Sequence, residues 1–263
     1  MHMIRLNFGE ATVAQPFAGQ SCLVTGAGSG IGAATAELLA ERGAVIAAVG
    51  LPTDPLEETV AAIAKAGGTA LAITADVSVA DDMQRAVDRA VKEFGALDLA
   101  VNAAGIPGEE VLLHEEPVAD WNRVLGVNLT GVFHALRAEI RAMLASGRGG
   151  SIVNIASVQA TNPLSRRVAY TASKFGLIGL TKVAAKDYAD HGIRINALSP
   201  GITDTPMMRA GGGQSEAIAA FVPVGRVAQP VDMARGVAYL LSTEAAYVTG
   251  AELVVDGGLL LRP

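Results

Sequence analysis

One cysteine, Cys22, stands among 263 residues. An internal disulfide framework is therefore excluded, and the setting Cys22-Leu23-Val24 predicts an inert core residue. Aromatic residues make up only 4% of the chain, and 20 basic residues against 26 acidic ones leave a formal net charge of −6. A general nucleic-acid binder needs clustered Lys and Arg to neutralise phosphate, so that class is set aside. Four histidines, His2, His114, His134 and His191, lack ligand spacing and companion cysteines, and no metal site is expected. Apolar stretches are broken by glycine or charge short of the roughly 20 residues of a membrane span, and no basic leader with an apolar block opens the chain. The expectation is a soluble, cytoplasmic protein with neither a nucleic-acid nor a membrane partner.

What the chain does have is apolar residue and glycine, 51% and 30 positions respectively. Short apolar runs alternate with longer stretches of helical period, which favours an α/β fold with a parallel sheet covered by helices on both faces. Candidate strands are 21–25, 45–49, 70–75, 97–102, 151–156, 194–198 and 252–255; candidate helices are 31–42, 56–65, 80–94, 120–146, 168–191 and 231–241. Gly43, Gly67-Gly68, Gly95 and Gly192 follow helices and read as left-handed C-terminal caps. Residues 1–15 show no clear period and form an N-terminal arm. Residues 16–263 then make one domain, with 203–222, around Gly211-Gly212-Gly213, as its least rigid segment.

Chemistry is suggested by Tyr170 and Lys174, four apart and so on one face of a helix. A neighbouring ammonium favours phenolate and brings a tyrosine, with its free pKa of about 10, towards use as a proton-transfer group. Taken alone, such a pair is an ordinary surface pair; its company changes the reading. Thr25-Gly26-Ala27-Gly28-Ser29-Gly30-Ile31-Gly32 joins a candidate strand to a candidate helix. There the missing side chains let backbone approach a phosphate at the helix terminus. The turn has two registers: Gly28-x-Gly30-x-x-Ala33 fits a general dinucleotide fingerprint, and Gly26-x-x-x-Gly30-x-Gly32 a more restrictive one.

With these residues the chain resembles the short-chain dehydrogenase/reductase family over nearly its whole length. Thr25, Gly26, Gly30 and Gly32 match the family's glycine motif, and Asn102-Ala103-Ala104-Gly105 matches Asn-Asn-Ala-Gly except at Ala103. Asn128, Ser157, Tyr170 and Lys174 match its catalytic tetrad. Asp76-Val77, Pro200-Gly201 and Asp256-Gly257-Gly258 match further family segments.

The resemblance implies a Rossmann-like three-layer α/β/α sandwich with a seven-stranded parallel sheet. It also implies an NAD(P)-dependent oxidoreductase that moves hydride between nicotinamide and a secondary alcohol or ketone. Tyr170 would exchange the proton, Lys174 would favour phenolate and hold the nicotinamide ribose, and Ser157 would stabilise the substrate oxygen. Asn128, in a locally distorted helix, would hold a water on the proton path. Cofactor contacts would come from Gly26, Ser29, Gly30, Ile31, Gly50, Leu51, Asp76, Val77, Asn102, Ala103, Ala104, Gly105, Tyr170, Lys174, Pro200, Gly201, Ile202, Thr203 and Thr205. Substrate contacts would come from Ser157, Gln159 and Tyr170, and the family's interfaces imply a homotetramer.

Some matters stay open on sequence. The position at which family members using NAD place an acid is Gly50 here, and neither it, Leu51 nor Ser29 supplies the cation that NADP wants. The missing cation tilts the reading to NAD, with the ribose hydroxyl accepted by backbone or Asp54. Arg166 and Arg167 either meet an anionic substrate or lie at an interface or in solvent. A 3-oxoacyl-thioester (acyl-carrier-protein) reductase and a non-catalytic nucleotide-sensing protein remain as alternatives, and a methyltransferase is the outsider.

Overall fold

The computed structural model describes residues 15–211 and 218–261. The expected N-terminal arm lies outside them but for Gln15, as do residues 212–217 of the expected mobile segment.

Seven parallel strands form one sheet in the order β3-β2-β1-β4-β5-β6-β7. They are β1 (Ser21–Thr25), β2 (Val45–Gly50), β3 (Thr69–Thr74), β4 (Leu99–Asn102), β5 (Gly150–Ile155), β6 (Ile193–Pro200) and β7 (Glu252–Val255). The connecting helices are α1 (Gly30–Glu41), α2 (Leu56–Lys65), α3 (Ala80–Phe94), α4 (Val118–Leu125), α5 (Gly131–Ser146), α6 (Val168–Tyr188), α7 (Pro206–Ala210) and α8 (Pro230–Leu241). The order reverses between β1 and β4, the place where doubly wound sheets open a crevice at the carboxyl ends of their strands.

Side chains that alternate along each strand explain why the strands read as unbroken apolar runs. Cys22 and Val24 of β1 enter one core with Ile46, Ala48, Leu99 and Val101, under α1, α2 and α8. Leu23 points the other way, into a second core with Ala47, Val49, Ala100 and Ile152, under α3, α5 and α6. Both faces are dry, so period-two polarity disappears. Each fully buried Leu or Ile adds roughly 1.5–3 kcal/mol. In α3 the buried Met83, Ala86, Val87 and Ala90 follow helical spacing, Asp81 and Asp82 face the positive N-terminal end, and Gly95 at φ 84° ends the helix.

Three expectations need correction. The helix expected over 120–146 starts at Val118 and is interrupted by a π turn, Gly126–Thr130, where the Gly131 N–H bonds Gly126 O. The helix expected over 168–191 keeps α geometry only to Tyr188 and closes in a 3₁₀ turn, Ala189–His191, before Gly192 at φ 71°. Strand ends also shift: β3 runs one residue earlier than expected, β4 starts at Leu99, and β6 spans Ile193–Pro200. Parallel register sets these limits, from Val45↔Thr69 to Gly50↔Thr74 and from Ala197↔Glu252 to Pro200↔Val255. Such pairings are not local properties of the sequence.

Candidate active site

The glycine turn after β1 is built so tightly that a Cβ has no room at two of its positions. One on Gly26, at φ 65°, would sit 2.9 Å from the Ala104 backbone; one on Gly32 would sit 2.1 Å from Gly26 O. Thr25 ties the turn to the next motif, since its Oγ1 accepts from Ala103 N at 3.1 Å and Ala104 N at 3.2 Å. A Cβ on Gly30, at φ 54°, would meet Thr205 Cγ2 at 3.2 Å, so the start of α7 flanks the turn. Ser29 precedes α1, whose first turn carries no acidic residue. No acid of the helix's own first turn competes for the N–H groups there, which suits a pyrophosphate.

The late segments brace one another. Gly201 N donates to Val255 O at 2.9 Å, and a Cβ on Gly201 would strike Asp256. Thr203 Oγ1 donates to Gly201 O at 3.1 Å, and Thr205 Oγ1 caps α7 by accepting from Met208 N. Pro200, Gly201, Ile202, Thr203 and Thr205 thereby form one held stretch at and after the end of β6. Asp76 and Val77 follow β3; the Asp76 carboxylate accepts from Ser78 N and Oγ, and Val77 packs where a Cβ on Gly131 would fall.

Asn128, Ser157, Tyr170 and Lys174 converge at the carboxyl ends of β4 and β5. Asn128 lies in the π turn, and its carboxamide is committed: Oδ1 accepts from Ile106 N at 2.9 Å, while Nδ2 donates to Ile106 O at 2.9 Å and Ser173 Oγ at 3.2 Å. Both of its N–H donors are thus taken, while its oxygen keeps one acceptor position. Lys174 Nζ donates to Ile155 O at 2.8 Å and lies 5.6 Å from the Tyr170 ring centroid. A Cβ on Gly105 would stand 3.4 Å from Asn128 Oδ1 and 3.8 Å from Lys174 Nζ. Ser157, just past β5, accepts from Gln159 N at 3.1 Å.

Electrostatics depart from the simple expectation that Lys174 lowers the Tyr170 pKa. Burial pushes the phenol above its ordinary value, against the pull of the Ser157 hydroxyl and the Arg167 charge. Burial also brings Lys174 down to about 8. Lys174 still carries most of its charge at neutrality, yet it is not among the groups that draw the phenol down, and desolvation prevails. Arg167 pairs with Glu110, and Arg166 is an exposed residue at φ 64°. Sequence reasoning missed Glu110, because one acid in a loop carries no signal of its own.

A family model described as enoyl-(acyl carrier protein) reductase matches residues 26–260. A cyclohexanol dehydrogenase of Acinetobacter sp. (strain SE19) is 43% identical over 94% of this chain and 98% of its own. A cis-4-hydroxycyclohexanecarboxylate dehydrogenase of Sinomonas cyclohexanicum is 42% identical over 93% and 98%. Among solved structures, a short-chain type dehydrogenase/reductase from Mycobacterium marinum superposes with a TM-score of 0.89 at 34% identity, covering 94% of this chain and 97% of that one. The chain belongs to the short-chain dehydrogenase/reductase family. A further family structure, a putative 2-deoxy-D-gluconate 3-dehydrogenase from Agrobacterium tumefaciens with bound NADP, has a TM-score of 0.85 at 37% identity over 96% and 100% of the two chains. The protein is thus an NAD(P)-dependent oxidoreductase acting on CH–OH groups and the corresponding ketones. Its glycine cradle, acid-free helix start and buried lysine fit a dinucleotide.

Proposed function

We propose that this enzyme interconverts an alicyclic secondary alcohol and its ketone, with NAD as the preferred cofactor. The observation that carries the reading is the seat of Lys174, fixed on Ile155 O against the Tyr170 ring and beside Gly105. Nicotinamide, when bound, supplies the two-electron partner for the alcohol carbon. Tyr170 takes the hydroxyl proton during oxidation and returns it during reduction. The Ser157 hydroxyl donates to the substrate oxygen as charge develops, and Gln159 borders the same place. Lys174 orients the ribose hydroxyls and, in its charged form, favours phenolate. Asn128 holds the Ile106 loop with its amide and contributes its backbone to the proton path. Gly26, Ser29, Gly30 and Ile31 offer backbone to the pyrophosphate, while Asn102–Gly105, Pro200–Thr203 and Thr205 border the nicotinamide half.

The two six-membered-ring substrates in the names of relatives 43% and 42% identical support the ring alcohol. The family description instead suggests an acyl-carrier thioester. A net charge of −6 does not favour approach of an acidic carrier protein, so that reading ranks second. NAD is preferred because Gly50, Leu51 and Ser29 present no cation to a 2′-phosphate. Exposed Phe133, Phe175 and Val183 on α5 and α6 support assembly as a homotetramer. Cyclohexanol, 4-hydroxycyclohexanecarboxylate, open-chain secondary alcohols and a 3-oxoacyl thioester should be compared with both cofactors by nicotinamide absorbance. Ring alcohols are expected to show the highest kcat/KM. Turnover confined to the thioester would replace the reading, and nicotinamide binding without any turnover would favour a sensing protein. A monomeric mass in light scattering would remove the tetramer.

A further inference from the structure

Gly50 ends β2 with no side chain, yet the space beside it is filled by a carboxylate. A Cβ built on Gly50 would lie 2.6 Å from Asp54 Oδ2, and one built on Gly28 would lie 2.9 Å from Asp54 Cβ. The loop after β2 therefore folds back until Asp54 stands between the glycine turn and the end of the second strand. Its placement is fixed at two points: Oδ2 accepts from Leu51 N at 2.8 Å, and Asp54 N donates to Leu51 O at 3.0 Å. Oδ1 makes no hydrogen bond among the described residues, and the side chain is partly exposed. The residues flanking Asp54 in this contact, Pro55 and Leu56, bring no positive charge.

In dinucleotide folds the acid that accepts the adenosine ribose 2′-OH stands at the end of the second strand, some 20 residues beyond the glycine turn. We infer that Asp54 performs this discrimination here, reaching from the loop into the place a side chain at position 50 would have occupied. One oxygen holds the turn through Leu51 N and the other is left to accept the 2′-OH. A 2′-phosphate, carrying close to two negative charges, would meet the same carboxylate as a like charge. The inference rests on the NAD reading above, and it turns that reading from the lack of a cation into the presence of an acid.

The test is calorimetric titration of the full-length protein with NADH and NADPH, without substrate, for the wild type, Asp54→Asn, Asp54→Ser and Glu57→Gln. Asn and Ser both retain an oxygen for Leu51 N, so the turn survives while the charge is removed. Asn also offers an N–H donor where a phosphate oxygen would lie. Loss of a charged acceptor should reduce the NADH-over-NADPH affinity ratio by about 10- to 100-fold in the Asp54 variants. Glu57, exposed at the start of α2, controls for net charge and should leave the ratio within about two-fold. An unchanged ratio in both Asp54 variants, or an equal fall in Glu57→Gln, overturns the inference. The NAD preference is judged separately, by the wild-type ratio. Tighter NADPH binding there would reject that preference, while the change on substitution would still decide for or against Asp54.

Discussion

Lys174 and Glu139 are buried alike, 4% and 0% exposed. Desolvation carries both to about 8, the lysine downward and the glutamate upward. Their surroundings differ. Lys174 reaches the carboxyl ends of the strands, where its Nζ meets a backbone carbonyl, an aromatic hydroxyl-bearing ring and the space beside Gly105. Glu139 lies on α5 against a relay of amides: Asn102 Nδ2 donates to its Oε2 at 3.1 Å and to Asn154 Oδ1 at 3.0 Å, and Asn154 Nδ2 donates to Thr181. That relay ties β4, β5, α5 and α6 together inside the core. A displaced pKa therefore reports burial in both regions, and only the convergence of reactive groups on a glycine-lined cradle marks a site.

The sharpest way to break this comparison is to remove the proposed proton-transfer group in one region and the buried carboxyl in the other. Tyr170→Phe should lower kcat by about 10²- to 10⁴-fold while NADH affinity, read by titration, stays close to wild type. Glu139→Gln should leave kcat within about two-fold, since its amide keeps an acceptor for Asn102 Nδ2. A large kcat loss in Glu139→Gln would erase the distinction between the regions. Stability moves the other way. Glu139→Ala leaves a cavity and an unmet amide, and should cost about 2–5 kcal/mol in urea unfolding.

A pH series sharpens the contrast further, because the two groups act in opposite windows. Folded Glu139 titrates at about 8 against an ordinary value of 4.5. Between those values the folded state keeps a proton that the unfolded chain has released. Stability should fall through that window by up to about 1.4 kcal/mol per pH unit, and Glu139→Gln should flatten the fall. Folded Lys174 titrates at about 8 against 10.5. From about 8 to 10.5 the unfolded chain holds the extra proton, so stability should rise there, and Lys174→Met should remove the rise. Identical pH curves for wild type and both variants would show that neither group titrates as its burial demands.

Much of the site was legible because its residues are constrained by backbone, which leaves marks in sequence. Gly26 and Gly32 admit no side chain, and Tyr170 and Lys174 must share a helix face. The seven strands were legible for a related reason: runs such as Cys22-Leu23-Val24 are buried on both sides and carry no polar interruption. Glu139 was not legible. Within Ala138-Glu139-Ile140 a lone acid reads as the solvated side of a helix, and only tertiary packing shows that it lies beneath Asn102 and Asn154. The π turn at Gly126–Thr130 has no composition of its own and was anticipated only through the family. The role of Gly50 was half legible: the acid is missing from the strand, but the return of Asp54 to that spot depends on how the loop folds.

The smallest expected effect concerns a second cation of the site, Arg167, which contrasts with Lys174 in staying near solvent and paired with Glu110. Its charge is among the influences that draw the Tyr170 pKa down against burial. Arg167→Gln removes that influence, so the phenolate becomes harder to form and alcohol oxidation should need a higher pH. Solvent and the Glu110 carboxylate screen the arginine, which limits the displacement of the pH–rate curve to less than about one unit. Unfolding free energy should change by less than about 1 kcal/mol, as expected of an ion pair with an exposed partner. A displacement toward lower pH would mean that the guanidinium does not act on the phenol as a positive charge. A displacement larger than that produced by Lys174→Met, which removes the amine's charge, would make Arg167, rather than the buried amine, the principal electrostatic partner of Tyr170.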